Sequence, residues 1–193
     1  MQNPAFYAHE SAYIEPGAQI GAGTRIWHFC HIMPNCQIGQ NCRIGQNVVI
    51  HPGAILGNNL KIQNNVSVYS GVICEDDVFL GPSMVFTNVL NPRSFIDRRT
   101  EYKTTRINQG ASIGANATIL CGLTIGRYAL IGAGTVVTKD VPDYALVCGN
   151  PARQQGWVCK CGLTLNFKEE RAVCRECQAG YQKINSTKIE EVG

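Results

Sequence analysis

An aliphatic residue returns at every sixth position along most of this chain. From Ile14 to Phe86, thirteen consecutive positions in this register are apolar, and a second series runs from Ile107 to Val137. The position after the aliphatic residue is often glycine, and the position two before it is mostly small or β-branched. A period of six fits neither an amphipathic helix nor alternating strands joined by turns. It predicts an all-β protein, a parallel β-helix in which short strands stack into a solenoid.

In such a coil three hexapeptides make one turn, so each residue stacks on the residue 18 positions later. The aliphatic side chain fills the interior and the small side chain lies beside it near a corner. The glycine is expected to supply the unusual backbone geometry of the turn. The period alone does not determine the hand of the coil, although the usual rule for crossover connections favours a right-handed one.

Composition supports one main domain with a small appendage. The chain has 193 residues, of which 45% are hydrophobic and only 16% charged, so it can bury a substantial core. A net charge of +3 without a block of like charges argues against a nucleic-acid surface. No apolar run approaches the roughly 20 residues of a membrane span, and the N-terminus lacks the layout of a signal peptide. We therefore expect a cytoplasmic protein with mostly reduced cysteines.

The segment GPSMVFTNVLNPRSFIDRRTEYKTTRINQG, residues 81–110, interrupts the repeat. The period stops after Phe86 and resumes out of phase at Ile107, which predicts a loop that protrudes at 88–106. Loops of this length are usually functional or disordered.

Arginines make this loop a candidate for substrate binding. The guanidinium group binds carboxylates and phosphates through two parallel hydrogen bonds. We select Arg93 and Arg98 as contacts to a carboxylate or a pyrophosphate. The alternative is that they pair with Asp97 and Glu101 on the surface.

Stacking of each residue on the one three hexapeptides later also places polar side chains in two columns at corners of the coil. The columns, with the neighbouring Asn65, are the candidate substrate groove, and a plain solvated surface is the alternative. The first column contains His51, Tyr69 and Thr87, with Asn88 following where the loop begins, and the second contains His28, Gln46 and Asn64. If the insert is removed so that Ile107 counts as position 92, Cys121 continues the column that contains Asn88.

The ten cysteines fall into two groups. Those of the repeat, such as Cys30, Cys36, Cys42 and Cys74, occupy small or aliphatic positions and are predicted to be buried and structural. The segment 157–193, which follows a coil domain predicted at 1–156, loses the repeat and contains a Cys-x-Cys pair, twelve residues, and a Cys-x-x-Cys pair. These four thiols, Cys159, Cys161, Cys174 and Cys177, predict a zinc-ribbon-like tail with a tetrahedral structural zinc. A metal-free tail packed on the coil is the alternative.

Several segments carry a family resemblance: TRIWHF, KIQNNVSVY, GPSMVFTNVLNPRS, GASIGANATILCGLTIG and TKDVPDYALVCGNPARQQGW. Over residues 10–156 the chain resembles the hexapeptide-repeat acyltransferases. The resemblance implies a left-handed coil and a homotrimer with active sites at the subunit interfaces. Within that family the segments are similar to N-acetyltransferases that act on UDP-2-acetamido-3-amino-2,3-dideoxy-glucuronate for bacterial surface polysaccharides such as O-antigen. A neighbouring branch acts on dTDP-linked 3-amino-6-deoxyhexoses.

The resemblance also implies roles for individual residues. Asn88 is expected to contact the reacting amine, while the thiolate of departing coenzyme A takes the proton. A histidine base is the alternative, with His51 preferred to His28. His9 precedes the coil and His31 lies one residue before an inward aliphatic side chain, so neither is favoured.

Acetyl-CoA is expected along the later coils. The resemblance implies that backbone amides near Ala115, Ala133 and Gly134 hold the pantetheine chain, and that Lys139 and Arg153 contact the phosphates.

Two other functions remain open at this point. A γ-type carbonic anhydrase also uses a hexapeptide coil, but it needs three histidines that converge on an open zinc across a subunit interface. Here His28 and His31 are three positions apart, and His51 lies at another corner. A non-catalytic β-helix scaffold is the other alternative.

Overall fold

A computed structural model describes residues 5–192 as a left-handed parallel β-helix of about eight coils, followed by a small antiparallel sheet. Strands pair with the strand one coil later at the predicted spacing, as where Val49 pairs with Ser67. The predicted all-β solenoid is therefore confirmed. No helix among residues 5–192 is long and apolar enough to cross a membrane.

Three sheets form the three faces of the coil. On the first face the last strand pairs antiparallel with the strand before it, and the others are parallel. Its strands are β1 (Tyr7–Ala8), β4 (Arg25–Ile26), β7 (Arg43–Ile44), β10 (Lys61–Ile62), β13 (Phe79–Leu80), β16 (Ser112–Ile113), β19 (Leu130–Ile131), β21 (Ala145–Cys148) and β22 (Arg153–Trp157).

The second and third faces are wholly parallel. The second face consists of β2 (Tyr13–Ile14), β5 (His31–Ile32), β8 (Val49–Ile50), β11 (Ser67–Val68), β14 (Val85–Phe86), β17 (Thr118–Ile119) and β20 (Val136–Val137). The third face consists of β3 (Gln19–Ile20), β6 (Gln37–Ile38), β9 (Ile55–Leu56), β12 (Val72–Cys74), β15 (Thr105–Ile107) and β18 (Thr124–Ile125).

The second residue of nearly every two-residue strand points into the coil. Ile26, Ile50 and Ile113, for example, have no exposed surface. The small position beside it is equally buried, and Cys36 and Cys42 there are fully enclosed. Burial raises the pKa of the thiols of Cys30, Cys36 and Cys42, so these side chains remain neutral. The structural interpretation of the repeat cysteines is confirmed by this burial.

The glycine after the aliphatic residue has a different role from the expected one. The left-handed backbone conformation occurs three residues after the aliphatic position, at residues such as Asn35, Asn41 and Gly53. Asparagine and glycine adopt it at low cost. At Gly81, in contrast, φ is not positive, and an added Cβ would lie 2.6 Å from the carbonyl oxygen of Ile113 in the next coil. Glycine is needed there because the coils approach closely, not because the backbone turns.

Gly81→Ala is therefore expected to destabilise the protein by about 1–3 kcal/mol, because a backbone atom cannot move aside as a side chain does. Gly156→Ala is the matched control, since an added Cβ there meets no heavy atom within 4 Å. Denaturant unfolding of both variants measures the difference. Equal stabilities would contradict the close-approach explanation.

The loop is an insertion into an otherwise continuous coil. β12 pairs with β15, so that Cys74 lies beside Ile107, 33 positions later instead of 18. The spacing of this pair exceeds that of three hexapeptides by the predicted phase shift. Phe86 pairs with Ile119 at the same spacing, which confirms the shift. Thr105 and Arg106 already belong to β15, so the predicted loop end at 106 was too late by two residues. The loop contains one short 3-10 helix, Arg99–Glu101.

The tail forms a three-stranded antiparallel sheet of β23 (Arg171–Val173), β24 (Gly180–Asn185) and β25 (Lys188–Val192). The strand β22 crosses the predicted boundary between residues 156 and 157. The division into domains at 1–156 and 157–193 stays a prediction.

Candidate functional site

The two polar columns border the same face of the coil. His51, Tyr69 and Thr87 follow strands β8, β11 and β14 of the second face, at its junction with the third. The other column follows strands of the first face, at its junction with the second. The outer surface of the second face therefore lies between the columns. The rings of His51 and Tyr69 are in contact, with centroids 4.9 Å apart, as the predicted stacking of successive coils requires.

Asn88 lies at the base of the loop, half-buried, one position beyond this column. Its carbonyl oxygen accepts the N–H of Lys103 at 3.0 Å, which closes the loop. The preceding Thr87 Oγ1 accepts the N–H of Cys121 at 2.9 Å and ties the corner to the next coil. A hollow of about 420 Å³ is lined by Tyr69, Asn88 and apolar side chains of β14 and the loop. Asn88 and Tyr69 thus face one site.

The loop itself encloses a larger open cleft. Asn88, Arg93, Arg98 and Tyr102 line this cleft, whose volume is about 490 Å³. Arg98 forms an ion pair with Glu101 at 2.8 Å, and Arg99 lies 3.7 Å from Asp97. The surface-pairing alternative therefore holds for Arg98. Arg93 donates to the neighbouring carbonyl of Pro92 at 2.9 Å. This partner is a neutral carbonyl group and not a carboxylate.

The Nε of Arg98 is buried without a hydrogen-bond partner among the described residues. Burying a guanidinium N–H without an acceptor carries a free-energy cost. This nitrogen lacks an acceptor beside the cleft, which keeps Arg98 a candidate for substrate binding.

The second column is used largely to hold the coil together. Asn64 Oδ1 accepts the N–H of Gln46 at 2.9 Å, and Asn65 Oδ1 accepts an N–H of the Asn47 side chain at 3.1 Å. Asn65 still lines a small hollow of about 140 Å³ together with Tyr69. Asn65, the neighbour of this column, is therefore the predicted substrate contact that lies close to Tyr69. Gln46 and Asn64 remain exposed at the corner.

The histidines outside the first column have partners of their own. The His28 ring stacks on His9, with centroids 3.6 Å apart, in the first coils. His31 Nε2 lies 2.6 Å from Glu15 Oε1. Among residues 5–192, no histidine belongs to a group of three or more side chains that could hold a metal ion.

The His31–Glu15 pair was missed in the sequence. His31 was set aside because the next residue points inward, yet strand alternation turns His31 outward onto the second face. A carboxylate partner orients an imidazole ring. Side chains alternate between the two sides of a strand, and Ile32 points inward. This alternation predicts that His31 points outward, where a partner could reach it.

Burial lowers the pKa of His51, and the nearby charge of His31 lowers it further. A lowered pKa keeps the imidazole neutral near pH 7, which is the form that accepts a proton. If His51 is the base, kcat/KM shows an acid limb below about pH 6.5, where His51 becomes protonated. His51→Gln is then expected to remove this limb and to lower the rate by about 100-fold at neutral pH. A pH profile of the variant that matches the wild type would contradict a base role.

The predicted coenzyme A residues occur on neighbouring coils. Ala115 and Gly134 are joined, since the N–H of Gly134 donates to the carbonyl of Ala115 at 2.8 Å. The Gly134 amide already has an acceptor, so the backbone amides of Ala115 and Ala133 are the remaining candidates for pantetheine contacts. Lys139 and Arg153 are exposed near the C-terminal end of the coil, and Arg153 donates to the carbonyl of Ala152.

The four tail cysteines come together as predicted. The Sγ atoms of Cys159, Cys161, Cys174 and Cys177 all lie within 4.8 Å of one another. They are at the far end of the coil from His28, and the loop cleft has none of them in its lining. The cluster is therefore a site separate from the groove.

Family models match the repeat on both sides of the loop. The model described as bacterial transferase hexapeptide (six repeats) matches residues 17–52 and 104–139, and the model described as hexapeptide repeat of succinyl-transferase matches residues 36–70. The chain thus carries the hexapeptide repeat of these transferases. Residues 71–103, which contain most of the loop, lie outside both matches.

Curated relatives match over parts of the chain. A dTDP-3-amino-3,6-dideoxy-alpha-D-galactopyranose 3-N-acetyltransferase from Aneurinibacillus thermoaerophilus is 54% identical over 78 residues, which is 40% of each chain. A serine acetyltransferase 4 from Arabidopsis thaliana is 48% identical over 52 residues, 27% of this chain and 15% of the relative. The chain spans less than half the length of these curated relatives.

Solved structures share the fold. The acetyltransferase domain of PglB from Neisseria gonorrhoeae, in complex with acetyl coenzyme A, has a TM-score of 0.52 and 22% identity; the match covers 78% of this chain and 57% of that one. WeeI from Acinetobacter baumannii has a TM-score of 0.51 and 21% identity, and the match covers 76% of this chain and 56% of that one. At this identity the likeness concerns the coil alone.

Proposed function

We propose that this hexapeptide-repeat protein is an acetyl-CoA-dependent N-acetyltransferase that acetylates the 3-amino group of a nucleotide-linked amino sugar. The observation that carries the proposal is the insertion at one corner of the coil, between β14 and β15. It opens a cleft that contains Asn88 and arginines beside the His51–Tyr69 column. The similarity to a sugar 3-N-acetyltransferase supports the same class of reaction.

The reaction requires a neutral amine, an oriented thioester and an acceptor for one proton. Asn88 Oδ1 accepts a hydrogen bond from the amine and directs its lone pair toward the thioester carbonyl carbon. The C–N bond forms as the C–S bond breaks, and the sulfur leaves as the coenzyme A thiolate. That thiolate accepts the amine proton. In the alternative, His51 acts as the base and accepts this proton. Ala115, Ala133, Lys139 and Arg153 hold acetyl-CoA along the later coils.

We propose a UDP-linked 3-amino-2-acetamido-uronic acid as the sugar substrate. Arg93, whose charge is not offset by the carbonyl it contacts, suits the uronic carboxylate. The product belongs to surface-polysaccharide precursors, and the enzyme acts in the cytoplasm, where acetyl-CoA is made. A homotrimer, in which a neighbouring subunit closes the groove, is part of the same proposal.

A dTDP-linked 3-amino-6-deoxyhexose is the second candidate. The relative from A. thermoaerophilus acts on such a sugar by its name. The ion pair between Arg98 and Glu101 also favours it, because a neutralised arginine is a weaker carboxylate receptor. The two candidates differ in one group, since a 6-deoxyhexose has no carboxylate to bind.

Free-thiol release from acetyl-CoA, measured with both amino sugars, tests the proposal. UDP-N-acetylglucosamine, which has no 3-amino group, is the matched negative control. We expect thiol release with a 3-amino sugar, with kcat/KM at least about tenfold higher for the uronic acid because of the carboxylate contact. A preference for the dTDP sugar would overturn the choice of sugar only. No release with any 3-amino sugar would overturn the proposed reaction.

A further inference from the structure

The cysteine cluster of the tail lies outside the lining of the loop cleft. The Sγ atoms of Cys159 and Cys177 are 3.3 Å apart, and those of Cys161 and Cys174 are 3.6 Å apart. A disulfide requires about 2.0 Å between sulfurs. A tetrahedral zinc with bonds of about 2.3 Å places neighbouring sulfurs about 3.8 Å apart. The spacing of the four thiols is close to that of a tetrahedral thiolate site.

Two tight turns aim the four thiols at one point. In the first turn the N–H of Gly162 donates to the carbonyl of Cys159 at 2.8 Å, with Gly162 in the left-handed conformation. In the second the N–H of Gln178 donates to the carbonyl of Cys174 at 3.0 Å, with Gln178 also left-handed. Each turn therefore presents its two cysteines on one side, toward the other turn.

The hydroxyl of Tyr181 lies against one sulfur of this cluster. This hydroxyl accepts the N–H of Lys160 at 3.0 Å and lies 3.2 Å from Cys159 Sγ. Either the hydroxyl or the sulfur can be the donor in this contact. The Tyr181 side chain is 1% exposed, so this hydrogen bond is shielded from water. A hydrogen-bond partner outside the ligand set orients a metal ligand, and Tyr181 is placed to do so for Cys159.

The cluster is also connected to the end of the coil. The strand β22 folds back antiparallel on β21, the last parallel strand of the first face, and ends two residues before Cys159. The N–H of Val158 donates to the carbonyl of Tyr144 at 2.8 Å. The ring of Tyr181 packs edge-on against Tyr144, with centroids 5.6 Å apart. Four thiols bound to one metal ion would thus fasten the tail over the last coil.

We propose that Cys159, Cys161, Cys174 and Cys177 bind one zinc ion, which clasps the tail sheet over the C-terminal end of the coil. Four thiolates leave no open position, so the ion is structural and takes no part in the reaction. The tail is too small to be stabilised by its own core, and the metal supplies that stability.

Metal content of the purified full-length protein tests the zinc assignment. We expect about one zinc per chain, retained in Cys148→Ser and reduced by about tenfold or more in both Cys161→Ser and Cys174→Ser. Cys148 is the matched control because it is half-buried in β21, outside the cluster. Cobalt substitution of the wild type adds a readout that needs no variant, namely the charge-transfer absorption of a four-thiolate site. Iron in place of zinc, two disulfides, or four free thiols without metal would overturn the assignment.

Hydrogen exchange tests the clasp. After zinc is released from the wild type by a thiol reagent and a chelator, the amides of Val158 and β24 are expected to exchange about tenfold faster or more, with those of β8 and β11 unchanged. Unchanged exchange in the tail after zinc loss would contradict the clasp. Both measurements are made without acetyl transfer, so they are independent of the proposed reaction.

Discussion

Asn88→Ala is expected to lower kcat for acetylation of the amino sugar by about 100- to 1,000-fold, the effect of removing one oriented polar contact to the reacting groups. Asn88 is half-buried at the junction of the hollow and the loop cleft, where an amine bound in the groove would meet the thioester. The KM for acetyl-CoA is expected to change little, because the predicted coenzyme residues lie on later coils. Initial rates of thiol release at saturating acetyl-CoA measure the loss.

Asn91→Ala is the matched control for this variant. Asn91 lies three positions further along the same loop, is exposed, and lines neither cavity that contains Asn88. Its rate is expected to stay within about twofold of the wild type, as for most surface substitutions. Full turnover by Asn88→Ala would show that the amine is oriented elsewhere.

Deletion of the segment 89–103 is expected to abolish acetylation of the amino sugar while the coil still folds. The deleted segment is as long as the excess that separates the pairing of Cys74 with Ile107 from the ordinary spacing. The deletion leaves Asn88 in place and lets β12 pair with β15 at the ordinary spacing of three hexapeptides. Most of the residues that line the loop cleft disappear, so kcat/KM for the sugar should fall below about 1% of the wild type.

Three measurements separate loss of the site from loss of the fold. Circular dichroism and thermal unfolding report the coil, and acetyl-CoA affinity reports the later coils. All three are expected to remain close to the wild-type values, because the regular spacing satisfies every strand of the third face. Wild-type kcat/KM and sugar preference in the deletion variant would contradict a loop that builds the acceptor site.

The register of the coil was predictable from the sequence because one physical requirement recurs at every sixth position. Ile50, Val68 and Phe86 each fill the interior, and a shift of the register by one residue would turn the interior side chains outward. The same arithmetic placed His51 against Tyr69 and predicted the phase shift at Ile107. The glycine column was misread because close packing between coils depends on three-dimensional distance, which the sequence does not show.

The loop was not predictable beyond its position. Its side chains follow no repeat, so the sequence left substrate binding and surface pairing open for the arginines. The structure shows that Arg98 pairs with Glu101 and that Arg93 contacts a carbonyl. The His31–Glu15 pair joins residues one coil apart at a spacing of 16, which the columns of stacked residues do not contain. The roles of Asn88, His51 and His28 stay predictions.

A structure of the protein with coenzyme A and a UDP- or dTDP-linked 3-amino sugar tests the central claim most directly. The account predicts that the sugar lies in the loop cleft, with its 3-amino nitrogen within about 3.2 Å of Asn88 Oδ1 and facing the coenzyme sulfur. A nucleotide sugar bound away from the loop, with Asn88 turned from the amine, would contradict it.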